Sequence, residues 1–120
     1  MTHDPTTNDE IELRRERAAR NQSLFREVNE RIEDLSSGAL FPGFVCECLS
    51  TECVEQVALT IEEYESVRSD SNRFLVLPGH EVAEVEDVVE TEGRYLVVAK
   101  KGAGGTVAEE LDPRHRRQPV

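Results

Sequence analysis

Tryptophan is absent, methionine occurs once, and aromatic residues fill only 5% of 120 positions, so the side chains that usually build a core are scarce. No apolar run approaches the ~18 to 20 residues needed to cross a bilayer, and residues 1–8 lack the basic end and apolar stretch of a secretion signal. No membrane association is therefore expected, and a cytoplasmic location is. Positive charge is also short: 14 Lys and Arg stand against 25 Asp and Glu, a net charge of -11, which excludes a surface that attracts polyanions as a whole. Twelve of the fourteen basic residues are arginine, which fits a GC-rich genome and carries no function. Missing too are a Ser/His/Asp set, a Walker loop, a dinucleotide fingerprint and the H-E-x-x-H or H-x-E with P-C-x-x-C patterns of zinc hydrolases and deaminases.

The apolar residues that exist are unevenly spread. Residues 41–101 hold 28 of them in 61 positions and the other 59 positions hold 17. The folded domain is accordingly placed at 41–101, preceded by a disordered lead at 1–8 and an amphipathic helix at 9–37, and followed by a flexible tail at 102–120. Below roughly 70 to 80 residues a single core supplies only about 3 to 5 kcal/mol, and such domains add disulfides, a metal or a partner. This one is expected to need such a staple.

Thr7 with Glu10 has the form of a capping box and opens the N-terminal helix. Ile11, Ala18, Phe25 and Ile32 then recur every seven residues, with Val28 and Leu35 three after the last two, and Gly38 stops the helix. The stripe Ala18, Phe25, Val28, Ile32 and Leu35 must bury itself on its own domain, on a second copy or on another protein. Glu16 with Arg20 and Glu27 with Arg31 are spaced to support a solvated helix. The cluster from Arg14 to Arg20 lacks interleaved aromatics, and residues 41–108 carry thirteen acids against five bases, so nucleic-acid binding is not expected.

Beyond Gly43 the period becomes two, placing Phe44, Cys46 and Cys48 on one side of an extended segment. A short strand at 54–59, a helix at 61–68 opened by the capping box of Thr60 and Glu63, a strand at 74–77 ended by Pro78-Gly79, and a hairpin of strands 86–90 and 94–100 follow. Gly102, Gly104 and Gly105 read as the exit from the fold. The fold class is thus α+β: a long N-terminal helix, then a small mixed or antiparallel sheet domain with one short helix.

Cys46, Cys48 and Cys53 are spaced C-x-C-x4-C, and His80 follows a Pro-Gly turn. An odd thiol count without a secretion signal argues against a disulfide framework and for a metal. Three thiolates and an imidazole complete the tetrahedral set of a structural zinc site, although they suit iron as well. Three thiolates make a metal a poor Lewis acid, which argues against catalysis with Glu47, Glu52 or Glu81 as acid or base. Glu47 and Glu52 beside the thiols would raise their pKa, which argues against a reactive Cys46/Cys48 pair. The expected function is a non-catalytic, zinc-stabilised interaction or adaptor protein, with a thiol or metal sensor, or a metal-dependent enzyme using Cys46 and Cys48, as the alternative.

The segments Phe44-Val-Cys-Glu-Cys48, Cys53, Leu59-Thr-Ile-Glu-Glu-Tyr64, Pro78-Gly-His-Glu81, Val88-Val89-Glu90 and Tyr95-Leu-Val-Val98 resemble a family of small, uncharacterised bacterial proteins, mostly actinobacterial. The resemblance spans Arg14 to Asp112. It implies that the three cysteines and His80 form one site, and it implies no activity.

Overall fold

A computed structural model describes residues 6–36, 38, 40, 42–50 and 52–114, excepting the side chains of 6–8. Residues 1–5 of the expected lead and 115–120 of the expected tail lie outside this set. The element order is α1 (Thr6–Leu35), β1 (Gly43–Val45), β2 (Gln56–Ala58), α2 (Ile61–Arg68), β3 (Arg73–Val76), β4 (Glu86–Thr91), β5 (Leu96–Lys100) and α3 (Ala103–Glu110). The architecture is α+β as expected, with a second short helix and the strands divided between two antiparallel sheets. β1 pairs with β2, while β5 lies between β3 and β4. No helix among the described residues is long and apolar enough to cross a membrane.

Local chemistry explains the elements. Thr60 Oγ1 accepts from the Glu63 amide while Glu63 Oε1 accepts from the Thr60 amide, the reciprocal capping box that starts α2. The central strand β5 continues an unbroken apolar run, Tyr95 to Val98, because it is buried on both faces. The core forms where Phe44 of β1 stacks on Tyr64 of α2, ring centroids 4.4 Å apart, beside Phe74, Leu75 and Val76 of β3.

Two expectations are corrected at the ends. α1 begins at Thr6, so Thr7 lies inside the helix rather than capping it, and residues 6–8 are helical rather than a disordered lead. The stretch from Gly102 is no flexible exit: α3 occupies 103–110, and Asp112 beyond it is buried. Arg68 Nη2 donates to Asp112 Oδ1 at 2.5 Å, and Arg114 reaches Glu30, Glu33 and Glu65. Gly104 is what lets α3 lie so close to α1. A Cβ there would stand 2.8 Å from the Arg15 carbonyl oxygen.

The N-terminal helix packs on its own domain, but not through the expected stripe. Its buried residues are Ala18, Ala19, Gln22, Ser23, Arg26, Asn29 and Glu30. Ala18 belongs to both sets, Phe25 and Ile32 are half-buried at the border, and Val28 and Leu35 face outward. Polar groups hold the docked face. Arg26 donates to the carbonyls of Ser71 and Ala108 at 2.6 and 2.7 Å and lies over the Phe74 ring. Lys100 Nζ donates to Gln22 Oε1 and pairs with Glu86 at 2.5 Å. Glu30 accepts from Tyr64 Oη at 2.6 Å and Arg68 Nε at 3.0 Å. Lys100 and Glu30 are buried with opposite charges, the condition under which burial is tolerated, whereas Arg26 is held by two carbonyls and the Phe74 ring, with its Nε unpartnered among the described residues.

Two predictions follow from these contacts. Gly104→Ala should lower unfolding free energy by about 1 to 3 kcal/mol in urea titrations, through overpacking against α1, whereas Gly93→Ala, with open space around it, should change little. Asp112→Ala should cost about 1 to 3 kcal/mol, because Arg68 stays paired with Glu30 through Nε while its Nη1 and Nη2 groups lose their buried acceptor. Burial alone would raise the Asp112 carboxyl, yet the hydrogen bonds from Arg68 and Ser71, the Arg68 charge and the Arg114 amide together outweigh it and hold the group at about 2 against an ordinary 3.8. A depressed folded value stabilises above the ordinary one and fades as pH falls, so the gap between wild type and Asp112→Ala should be full above pH 3.8 and shrink towards pH 2.

Candidate metal centre

The extended segment that starts in β1 continues past Val45: the Cys46 amide donates to the Glu55 carbonyl at 2.9 Å and the Glu47 amide to Leu75 at 2.8 Å. Cys46 and Cys48 consequently turn to one side and Glu47 to the other. Cys53 returns through a turn in which its amide donates to the Ser50 carbonyl at 3.2 Å. From the far side, Leu77-Pro78-Gly79-His80 forms a turn closed by the His80 amide on the Leu77 carbonyl at 2.9 Å. Proline at its second position and Gly79 with φ of +92° at its third are what this turn geometry requires. Glu81 Oε1 accepts from the Gly79 amide at 2.8 Å and secures it.

These two turns bring Cys46, Cys48, Cys53 and His80 together. Their ligand atoms all lie within 4.8 Å of one another. His80 Nδ1 stands 3.6 Å from Cys46 Sγ and 3.7 Å from Cys53 Sγ. A tetrahedral ion with bonds of about 2.3 Å to sulfur and 2.0 Å to nitrogen would separate sulfur from nitrogen by about 3.5 Å. The set fits a metal ion, and no carboxylate belongs to it. The Leu77 amide also points at Cys46 Sγ at 3.3 Å, a donor that favours the thiolate a metal requires. Cys46 and Cys48 are buried, Cys53 and His80 half-buried, so the cluster sits just beneath the surface. Burial pushes the Cys46 and Cys48 thiols up, and Cys53 adds to it at both. A cation among them removes that penalty.

The acids once cast beside the site are otherwise engaged. Glu47 is fully buried on the opposite side, accepting from Asn29 Nδ2 at 2.7 Å and the Leu75 amide at 3.0 Å. Burial raises its carboxyl to about 7 despite those bonds. Glu81 closes the His80 turn, and Glu52 is exposed.

Asn29 and Gln22 of α1 were not legible as supports for this centre. Asn29 grips the strand that carries Cys46 by accepting from the Val45 amide at 2.8 Å and donating to the Val45 carbonyl at 2.9 Å. Gln22 donates to the Glu47 carbonyl at 2.7 Å. The available signal was a polar heptad, Arg15, Gln22 and Asn29 interleaved with Ala19, Arg26 and Glu33, running beside the apolar one. Asn29→Ala should therefore cost about 2 to 3 kcal/mol by leaving buried backbone groups unpaired, and should hasten metal loss to a chelator, followed by a colorimetric metal indicator.

No family model matches the chain, and no curated protein or solved structure matches it either.

Proposed function

We propose that one structural zinc ion, held by Cys46, Cys48, Cys53 and His80, locks the domain together, and that the protein works as a non-catalytic interaction module. The observation that carries this reading is the convergence of three sulfurs and one imidazole at tetrahedral spacing. Four protein ligands fill the coordination of zinc and leave no position for a reacting water. The charge of three thiolates further weakens the ion as a Lewis acid, and Glu47 is turned away towards α1. The ion would join the 46–48 segment, the Cys53 turn and the His80 turn at one point, beyond the backbone bonds of Cys46 to Glu55 and Glu47 to Leu75. For zinc-finger peptides the apparent binding free energy is about 10 to 16 kcal/mol near neutral pH, more than a core this poor in aromatics can supply by itself.

Elemental analysis of protein purified without added metal should find one zinc per chain. Cys53→Ser and His80→Ala should lose it, with chelator-sensitive unfolding seen by circular dichroism. Cobalt(II) exchanged into the wild type should show the visible absorption of a tetrahedral thiolate site. Iron in place of zinc would correct the identity of the ion, while a stably folded, metal-free wild type would refute the reading.

A further inference from the structure

The outward side of α1 carries a pattern opposite to the rest of this acidic chain. Leu13 (55% exposed), Leu24 (59%), Val28 (45%) and Leu35 (86%) lie there, half a helical turn from the buried Gln22, Arg26 and Asn29. Arg17, Arg20 and Arg31 share that side and are exposed. The order Leu13, Arg17, Arg20, Leu24, Val28, Arg31, Leu35 follows steps of three and four, the spacing of a helix face built for a partner. Between Leu13 and Leu35 that face holds no acid; Glu16, Glu27 and Asp34 lie along one flank. Arg20 makes only a 4.0 Å contact with Glu16, and neither Arg17 nor Arg31 has an acid within ion-pairing distance among the described residues. A protein of net charge -11 thus presents a cationic, aliphatic strip about 33 Å long, a length of about three heptads.

We infer that this strip docks an acidic amphipathic helix of a partner protein, with the partner's aliphatic residues on Leu13, Leu24, Val28 and Leu35 and its carboxylates against Arg17, Arg20 and Arg31. Charge decides between the occupants. A second copy bound through the same face would oppose like charges: parallel helices set each arginine against itself, and an antiparallel pair centred on Leu24 sets Arg17 against Arg31. An anionic bilayer is a broad plane that would bring Glu16, Glu27 and Asp34 against its phosphates together with the arginines, whereas a single helix can lie along the Arg17, Arg20 and Arg31 line alone. An acidic helix meets both halves of the pattern at once, in the helix-on-helix mode that reads anchors at three- and four-residue spacing. The inference rests on the interaction reading above and names the surface and the partner chemistry.

The test uses the full, metal-loaded chain and a fluorescent synthetic peptide of four heptads with Leu at the inner positions and Glu flanking them, read by anisotropy. A peptide with Lys for Glu is the control. Binding of the Glu peptide and not the Lys peptide is expected, weakened at least about tenfold by Arg17→Glu with Arg31→Glu and likewise by Leu24→Asp. All three side chains are exposed, so zinc content and circular dichroism should stay unchanged in these variants. Equal binding of both peptides, no binding of the Glu peptide, or undiminished binding by the variants overturns the inference. Vesicles containing phosphatidylserine that bind in the peptide's stead, or a dimer in light scattering that Leu24→Asp dissolves, would overturn it in favour of a membrane or a second copy. Zinc measured on the same samples separates the two readings: zinc present without peptide binding refutes the docking alone, and peptide binding without zinc refutes the metal alone.

Discussion

Burial of polar groups on one face of α1 is the constraint around which this protein is organised. Arg26, Asn29, Gln22 and Glu30 are all buried, and each reaches a different part of the domain: the Ser71 turn and α3, the strand before Cys46, the Glu86–Lys100 pair, and α2. Such contacts are directional, so they set the register of the helix far more strictly than aliphatic packing would. They also make the interface all-or-none, since removing one partner leaves another group buried without its hydrogen bond. The helix is therefore part of the fold, and Leu13, Leu24, Val28 and Leu35 on its outer side stay exposed.

The same constraint reaches the candidate metal centre. Glu47 sits between two of the clustered cysteines in sequence and points the other way, into Asn29 and the Leu75 amide. Its carboxylate ties the ligand strand to α1 on one side and β3 on the other. A strand with period two makes this division natural: alternate residues face the Cys/His cluster and the helix. The cluster is consequently braced from behind by a polar network and closed from the front by the Pro78-Gly79 turn.

Much of this arrangement was readable in the chain. The Thr60–Glu63 box located α2, the Pro-Gly pair located the His80 turn, and the C-x-C alternation already separated Glu47 from the sulfurs. These are local signals, carried by hydrogen bonds and dihedral angles within a few residues. The docking side of α1 was different, because a solvated helix and a helix buried through polar residues have the same composition. Phe25, Val28, Ile32 and Leu35 suggested one face; the partners of Arg26 and Asn29, 45 and 16 residues away, selected its neighbour.

The sequence by itself determined the α+β order of elements, the turn that presents His80 and the side of the strand that carries Cys46 and Cys48, since each depends on short-range backbone chemistry. Only the tertiary structure decided the face of α1 that docks, the helix at 103–110 and the burial of Asp112. A Gly-Gly pair costs a helix about 1 kcal/mol per residue in isolation, and so reads as a linker. Here the missing side chain of Gly104 is what admits the Arg15 backbone, and the Arg68 guanidinium, 44 residues from Asp112, is what draws Asp112 inward. Long-range partners of that kind leave no mark on local periodicity.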